Sequence, residues 1–161
     1  MTAKNKNDIL EKAKFISLLE KKYKEAIKLL DHFLVKHRND LDALRLKGNI
    51  LDLKGLDSSV GLKETEIESC FTEALKCYYA ILFIDNQNAN AMIDIGDYWE
   101  RKNDCQEALR WYNLAIDALE KVNNNSVLEE LDETIIKRQK ILELLSKEKS
   151  TGSEFNLQKH Q

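Results

Sequence analysis

The chain has 161 residues, a formal net charge of −3, 43% hydrophobic and 33% charged residues, five glycines and no proline. That length suits one domain with room for a core. The balance excludes wholesale disorder and a turn-rich β protein, and it favours long helices.

The small negative charge implies no general affinity for nucleic acid or an anionic membrane. No apolar stretch approaches the roughly 20 residues that span a bilayer. The opening Lys4-Asn5-Lys6 precedes no apolar run with a cleavage site, so no secretory signal is expected and the expected location is cytoplasmic. Charge is unevenly spread. Residues 1–40 carry ten Lys/Arg against six Asp/Glu, a net of +4, and residues 81–120 carry three against eight, a net of −5.

Residues 1–7 are polar and expected to fray. Asp8 can cap a first helix whose inner face holds Ile9, Leu10, Ala13, Ile16, Ser17 and Leu18. Lys21-Lys22 makes a turn, and a second helix runs from Tyr23 to about His37. Asp40 caps a third helix from Leu41 to about Leu53, with Gly55 as its left-handed stop. Loop chemistry follows in Asp57-Ser58-Ser59 and Gly61, then a long fourth helix reaches about Asp85. The fifth helix spans Ala89–Arg101 and the sixth about Cys105–Lys121, with the short turn Lys102-Asn103-Asp104 between them. Asn123-Asn124-Asn125 interrupts, and the capping box Ser126-Val127-Leu128-Glu129 opens a seventh helix with apolar positions Leu128, Leu131, Ile135, Leu142 and Leu145.

One triplet recurs: Glu25-Ala26-Ile27, Glu73-Ala74-Leu75 and Glu107-Ala108-Leu109. Apolar residues follow each Ala at four and seven (Leu30 and Phe33, Tyr78 and Ile81, Tyr112 and Ala115), which is one helix face. Ala26 to Ala74 is 48 residues and Ala74 to Ala108 is 34, an excess of 14. Gly48 lies 22 after Ala26 and Gly96 lies 22 after Ala74, so the excess falls between the two helices of the second pair, at about 56–69.

A 34-residue unit of two helices resembles the tetratricopeptide repeat. The third copy carries Met92, Ile95-Gly96, Trp99, Ala108, Tyr112 and Ala115 at that family's packing positions. The second carries Leu44, Gly48, Leu51, Ala74, Tyr78 and Ile81, and the first Ala26, Leu30 and Phe33, with Lys14 where a small residue is usual. The family's closing proline is replaced by Arg38, Asn86 and Glu120. The resemblance implies an all-α, right-handed superhelix of three helix pairs plus a capping helix, with a 14-residue insert in the second repeat. The expected organisation is a frayed start at 1–7 and a domain over 8–148. Its repeats lie at about 7–40, 41–88 and 89–122, its capping helix at 126–148, and a disordered tail at 149–161.

No catalytic, cofactor or metal constellation stands out. His32, His37 and His160 have neither metal nor triad spacing, and no Gly-rich phosphate loop exists. Cys70 and Cys77 sit two turns apart on one helix, roughly 10 Å by helical rise and too far for a disulfide. With Cys105 they read as free thiols of a reducing compartment. Trp99 is in phase with Ile95 and Met92 and reads as core. For Trp111 two readings stay open, contact with the capping helix or an exposed interface anchor.

In the family the first helix of each pair lines a concave groove that holds a partner segment. Carried over, the groove residues are Glu11, Phe15 and Leu18, then Asp42, Arg45, Asn49 and Asp52, then Asn90, Ile93, Asp94, Asp97, Glu100 and Arg101. A family subtype clamps a terminal carboxylate with Lys, Asn and Arg. Here Glu11 and Phe15, and Asn90 and Asp94, stand at those positions, so the clamp is absent. Asp94, Asp97 and Glu100, with Asp52, read either as a solvated acidic face or as a groove end that prefers a basic segment, with Phe15, Leu18 and Ile93 as apolar anchors.

The expected function is a non-enzymatic adaptor, scaffold or chaperone-like module for a protein segment, without cofactor. One alternative is a bacterial protein with a dedicated partner, either a secretion chaperone for translocators, from which the insert departs, or an immunity-type protein. Another is self-association through the insert and the fourth helix, which is apolar almost all round at Tyr78, Tyr79, Ile81, Leu82, Phe83 and Ile84.

Overall fold

The structure is a computed structural model that describes the backbone of residues 3–122 and 127–157 and the side chains of residues 6–122 and 127–147. Among these residues there are seven α-helices, one short 3-10 helix and no strand: α1 Ala3–Leu18, α2 Tyr23–Lys36, α3 Leu41–Leu56, the 3-10 turn Ser58–Val60, α4 Glu64–Ile84, α5 Ala89–Arg101, α6 Cys105–Glu120 and α7 Leu128–Leu157. The single expected domain is organised as two compact units, residues 1–86 and 87–161.

Helix starts follow side-chain chemistry. Asp40, Asn88 and Asp104 each accept the backbone N–H three residues on, at 3.0, 3.1 and 3.0 Å. Each bond satisfies an amide that the first turn leaves without a partner. Glu66 does the same in reverse for α4, accepting the Lys63 N–H at 3.0 Å.

Three boundaries differ from expectation. The helix α1 begins at Ala3, not after a cap at Asp8. Lys6 on its first turns reaches Asp40 at 2.9 Å and Asp42 at 2.7 Å and ties this end to the start of α3. Gly55 does not stop α3, which runs on to Leu56. A Cβ at Gly55 would stand 2.7 Å from the Phe71 ring, so glycine there serves close helix packing. The left-handed glycine is Gly61, at φ 65°. Finally, α7 continues to Leu157, past the expected end at 148, so residues 149–157 of the expected disordered tail are helical backbone. The Asn123-Asn124-Asn125 break, the Ser126 cap and residues 158–161 lie outside the described residues.

In the first unit α1, α2 and α3 close over Leu10, Ala13, Tyr23, Ala26, Leu30, Phe33, Ala43 and Ile50. In the second, α6 and α7 bury Ala108, Tyr112 and Ile141, with Trp99 and Leu145 packed against them. The three triplet alanines, Ala26, Ala74 and Ala108, are fully buried. The expected insert is residual loop, one 3-10 turn and the first turns of α4.

Candidate functional site

The same contact is built twice. In the α3/α4 pair a Cβ on Gly48 would meet the Tyr78 ring at 2.5 Å, and in the α5/α6 pair a Cβ on Gly96 would meet the Tyr112 ring at 2.5 Å. Only glycine lets each ring lie that close to a helix backbone. Each phenol then reaches the residues one and four beyond its glycine. Tyr78 donates to Asn49 at 3.1 Å and Asp52 at 2.9 Å. Tyr112 donates to Asp97 at 2.7 Å and Glu100 at 2.8 Å. Asn49, Asp52, Asp97 and Glu100 were all expected as groove residues, and the structure gives each of them an internal role.

In the second unit α7 adds two cations. Lys137 meets both oxygens of Asp97 at 2.7 Å, and Lys140 meets Glu100. The Lys137 ammonium also lies 5.9 Å from the Tyr112 ring centre. Lysines three apart on α7 thus match carboxylates three apart on α5. Of the acidic row, read either as a solvated face or as a docking face for a basic segment, Asp97 and Glu100 are engaged by lysines of this chain. Burial would raise the Glu100 carboxyl, but hydrogen bonds from Lys140 and Tyr112 outweigh it and hold the group below its usual range. Burial, then the Asp97 charge and the bonds to Asp97 and Glu100, push the Tyr112 phenol far up, so it stays a donor at every ordinary pH.

The other expected residues of α5 fare differently. Ile93 is 8% exposed and presents no anchor at the surface. Asn90, Asp94 and Arg101 are half-buried. Trp111 is half-buried as well.

In the first unit the expected groove positions Glu11, Asp42, Arg45 and Asn49 do meet. With Asn7, Leu10, Lys14 and Leu46 they line a groove of about 370 Å³ between α1 and α3. Its charge is mixed, not acidic. Phe15 and Leu18, four and seven residues beyond Glu11, are 53% and 58% exposed. On α4, Tyr78 and Ile81 are buried while Phe83 is 93% exposed, so the helix is not covered on all sides.

Sequence reading missed Lys137 and Lys140; their three-residue spacing was the available signal. It also missed the insert's role. Asp57 accepts from Tyr23 at 2.7 Å and pairs with Lys21 at 3.2 Å. Hydrogen bonds from Ser59 and Tyr23 hold its carboxyl below the usual range. Among the described residues no group of three or more His, Cys, Asp or Glu is arranged to hold a metal ion, and no helix is long and apolar enough to cross a membrane.

The chain shares its fold with a solved structure. It is similar in structure to the Yersinia enterocolitica type III secretion translocator chaperone SycD, with a TM-score of 0.67 and 16% sequence identity, over 92% of this chain and 89% of that one. At that identity the likeness to SycD is one of fold. No protein-family model matches the sequence, and no curated protein does.

Proposed function

We propose that this chain is a non-enzymatic, chaperone-like protein-binding module of the tetratricopeptide type, built of three helix pairs and α7. The bound segment lies along the α1/α3 groove. The observation that carries this reading is the groove itself, where residues on the first helices of two successive pairs converge around about 370 Å³ of open space. The likeness to SycD, a translocator chaperone, supports the same class of role.

Groove chemistry selects the ligand. Glu11 and Asp42 stand beside Lys14 and Arg45, so a segment of alternating charge fits better than a purely basic one. Exposed Phe15 and Leu18 extend the Glu11 row and supply apolar contacts, which carry most affinity at such surfaces. Free thiols at Cys70, Cys77 and Cys105 suit a reducing, cytoplasmic setting.

Affinity capture from the native cell, quantified by mass spectrometry, tests the groove. Arg45→Glu/Phe15→Ser is expected to lose the partner that the parent chain retains. Equal recovery by both would sink the reading. A second reading, self-association through α4, is favoured by the exposure of Phe83 at 93% and Tyr79 at 41%. Light scattering of the parent and Phe83→Ser chains separates the two, because a monomer at all concentrations ends it.

A further inference from the structure

A second concave surface, separate from the α1/α3 groove, forms where the insert meets the start of α2. The α1–α2 turn, the start of α2, the end of α3 and the 3-10 turn enclose a notch of about 180 Å³. Its apolar parts are the Tyr23 ring and Val60, and Val60 also packs against the first unit's core. Its rim is Lys21, Lys22, Lys24 and Lys54, with Glu25 the only acid among the lining residues.

The notch is held in shape. Asp57, the first residue after α3, accepts from the Ser59 N–H at 3.0 Å and the Ser59 hydroxyl at 2.6 Å, closing a tight turn. The same carboxylate takes the Tyr23 phenol and Lys21. Lys21 sits at φ 52°, the left-handed residue that ends α1, and the next amide, the Lys22 N–H, donates back to the Ile16 carbonyl at 3.1 Å. Removing the 3-10 turn would remove Val60, the one lining residue that the 14-residue insert supplies, and open the notch.

The rim is only partly neutralised. Lys21 is paired with Asp57 and Lys22 with Glu20 at 2.8 Å. Lys24 and Lys54 meet no carboxylate among the described residues. The helix α2 also begins here without a side-chain cap, so its first-turn N–H groups add positive potential.

We propose that this notch docks an acidic segment of a partner protein. One aliphatic or aromatic side chain of that segment sits between Tyr23 and Val60, and its flanking carboxylates meet Lys24 and Lys54. A cavity of about 150 Å³ already admits a benzene-sized group, so the space suits one such side chain. Charge complementarity names the sign of the partner. The apolar floor calls for an aliphatic or aromatic side chain, which a phosphate backbone or a lipid headgroup does not present, and a long polyanion would meet repulsion from the rest of a surface with net charge −3.

The full chain, labelled with nitrogen-15, is titrated with a short synthetic peptide in which one Leu is flanked by Glu and Asp. Amide shifts are expected at residues 21–25 and 54–60, and the affinity falls with added salt. Lys24→Glu/Lys54→Glu, at surface positions whose side chains hold no ion pair, is expected to weaken binding about tenfold or more. A control peptide with Gly for Leu is expected to lose binding by a similar factor. Arg45→Glu, in the other groove, leaves this titration unchanged, so the two sites fail or survive separately. Four results overturn the proposal: no shifts with the peptide, shifts confined elsewhere, a Lys24→Glu/Lys54→Glu chain that binds within about twofold of the parent, or equal binding of the Gly control. Shifts at the notch caused by single-stranded RNA or phosphatidylserine vesicles but not by the peptide overturn it as well.

Discussion

The α3/α4 and α5/α6 pairs share one construction and differ in charge. Each places a tyrosine ring on a helix glycine and points the phenol at the residues one and four further along. In α3/α4 those residues are Asn49 and Asp52, a neutral amide and a carboxylate. In α5/α6 they are Asp97 and Glu100, two carboxylates, and α7 supplies Lys137 and Lys140 to meet them. A pair of half-buried carboxylates sharing one phenol is costly unless cations are added. The lesson is that an acidic row on a repeat helix records which neighbour the helix expects, and that neighbour can be part of the same chain.

The largest effect tests what the two pairs have in common. Gly48→Leu and Gly96→Leu each force a side chain into a tyrosine ring and are expected to cost about 3 kcal/mol. Urea unfolding midpoints read both, and a tolerated substitution at either site breaks the equivalence.

Removing the phenol hydroxyl separates the pairs. Tyr112→Phe deletes a donor to two carboxylates and is expected to cost about 2 kcal/mol, and Tyr78→Phe about 1 kcal/mol. Equal losses would mean that the second carboxylate adds nothing. Lys137→Met strips the cation from Asp97. Both side chains are about one-third exposed, at 35% and 31%, so solvent screening limits the loss to about 1 kcal/mol. Hydrogen exchange should show it as faster exchange in α7 with α3 and α4 unchanged.

Acid sharpens the comparison further. Glu100 titrates below its ordinary 4.5 in the folded chain. Its contribution is therefore complete above about 4.5 and is lost as pH falls through the lower folded value. In Lys140→Ala the folded value rises toward the ordinary one, so the loss of stability below about pH 4.5 becomes shallower than in the parent. A parallel fall in both chains would remove Lys140 from the account.

The smallest effect concerns the thiols. Burial pushes Cys77 up to about 11, and it and Cys70 are buried while Cys105 is half-buried. Iodoacetamide at neutral pH is expected to label Cys105 first, with Cys70 and Cys77 reacting after unfolding, as peptide mapping would show.

Much of the architecture was legible because it rests on local periodicity. Residues spaced four and seven apart mark one helix face whatever surrounds them, so α2, α5 and most of α6 appear at their expected places. Glycine spacing located the insert within the second pair. Gly55 was misread because a glycine near a helix end serves either as a stop or as a close packing point. The Phe71 ring, sixteen residues away, decides which. The start of α1 was misread for a similar reason, since its N-terminal turns are tied by Lys6 to carboxylates more than thirty residues on.

The candidate sites divide in the same way. Glu11, Asp42, Arg45 and Asn49 fell into one groove because helical phase alone puts them on one side of α1 and α3. Asp97 and Glu100 had the right phase too, yet what faces them is α7, forty residues later in the chain. By itself the sequence determined that this protein is a set of repeated helix pairs, where the second pair is stretched, and which residues share each face, since those follow from turn geometry within a few residues. Only the tertiary structure decided which faces stay open. It placed α7 on the acidic row and the insert's Asp57 beneath Tyr23 and Lys21, because the partner of a charge is set by distance in space and not by distance along the chain.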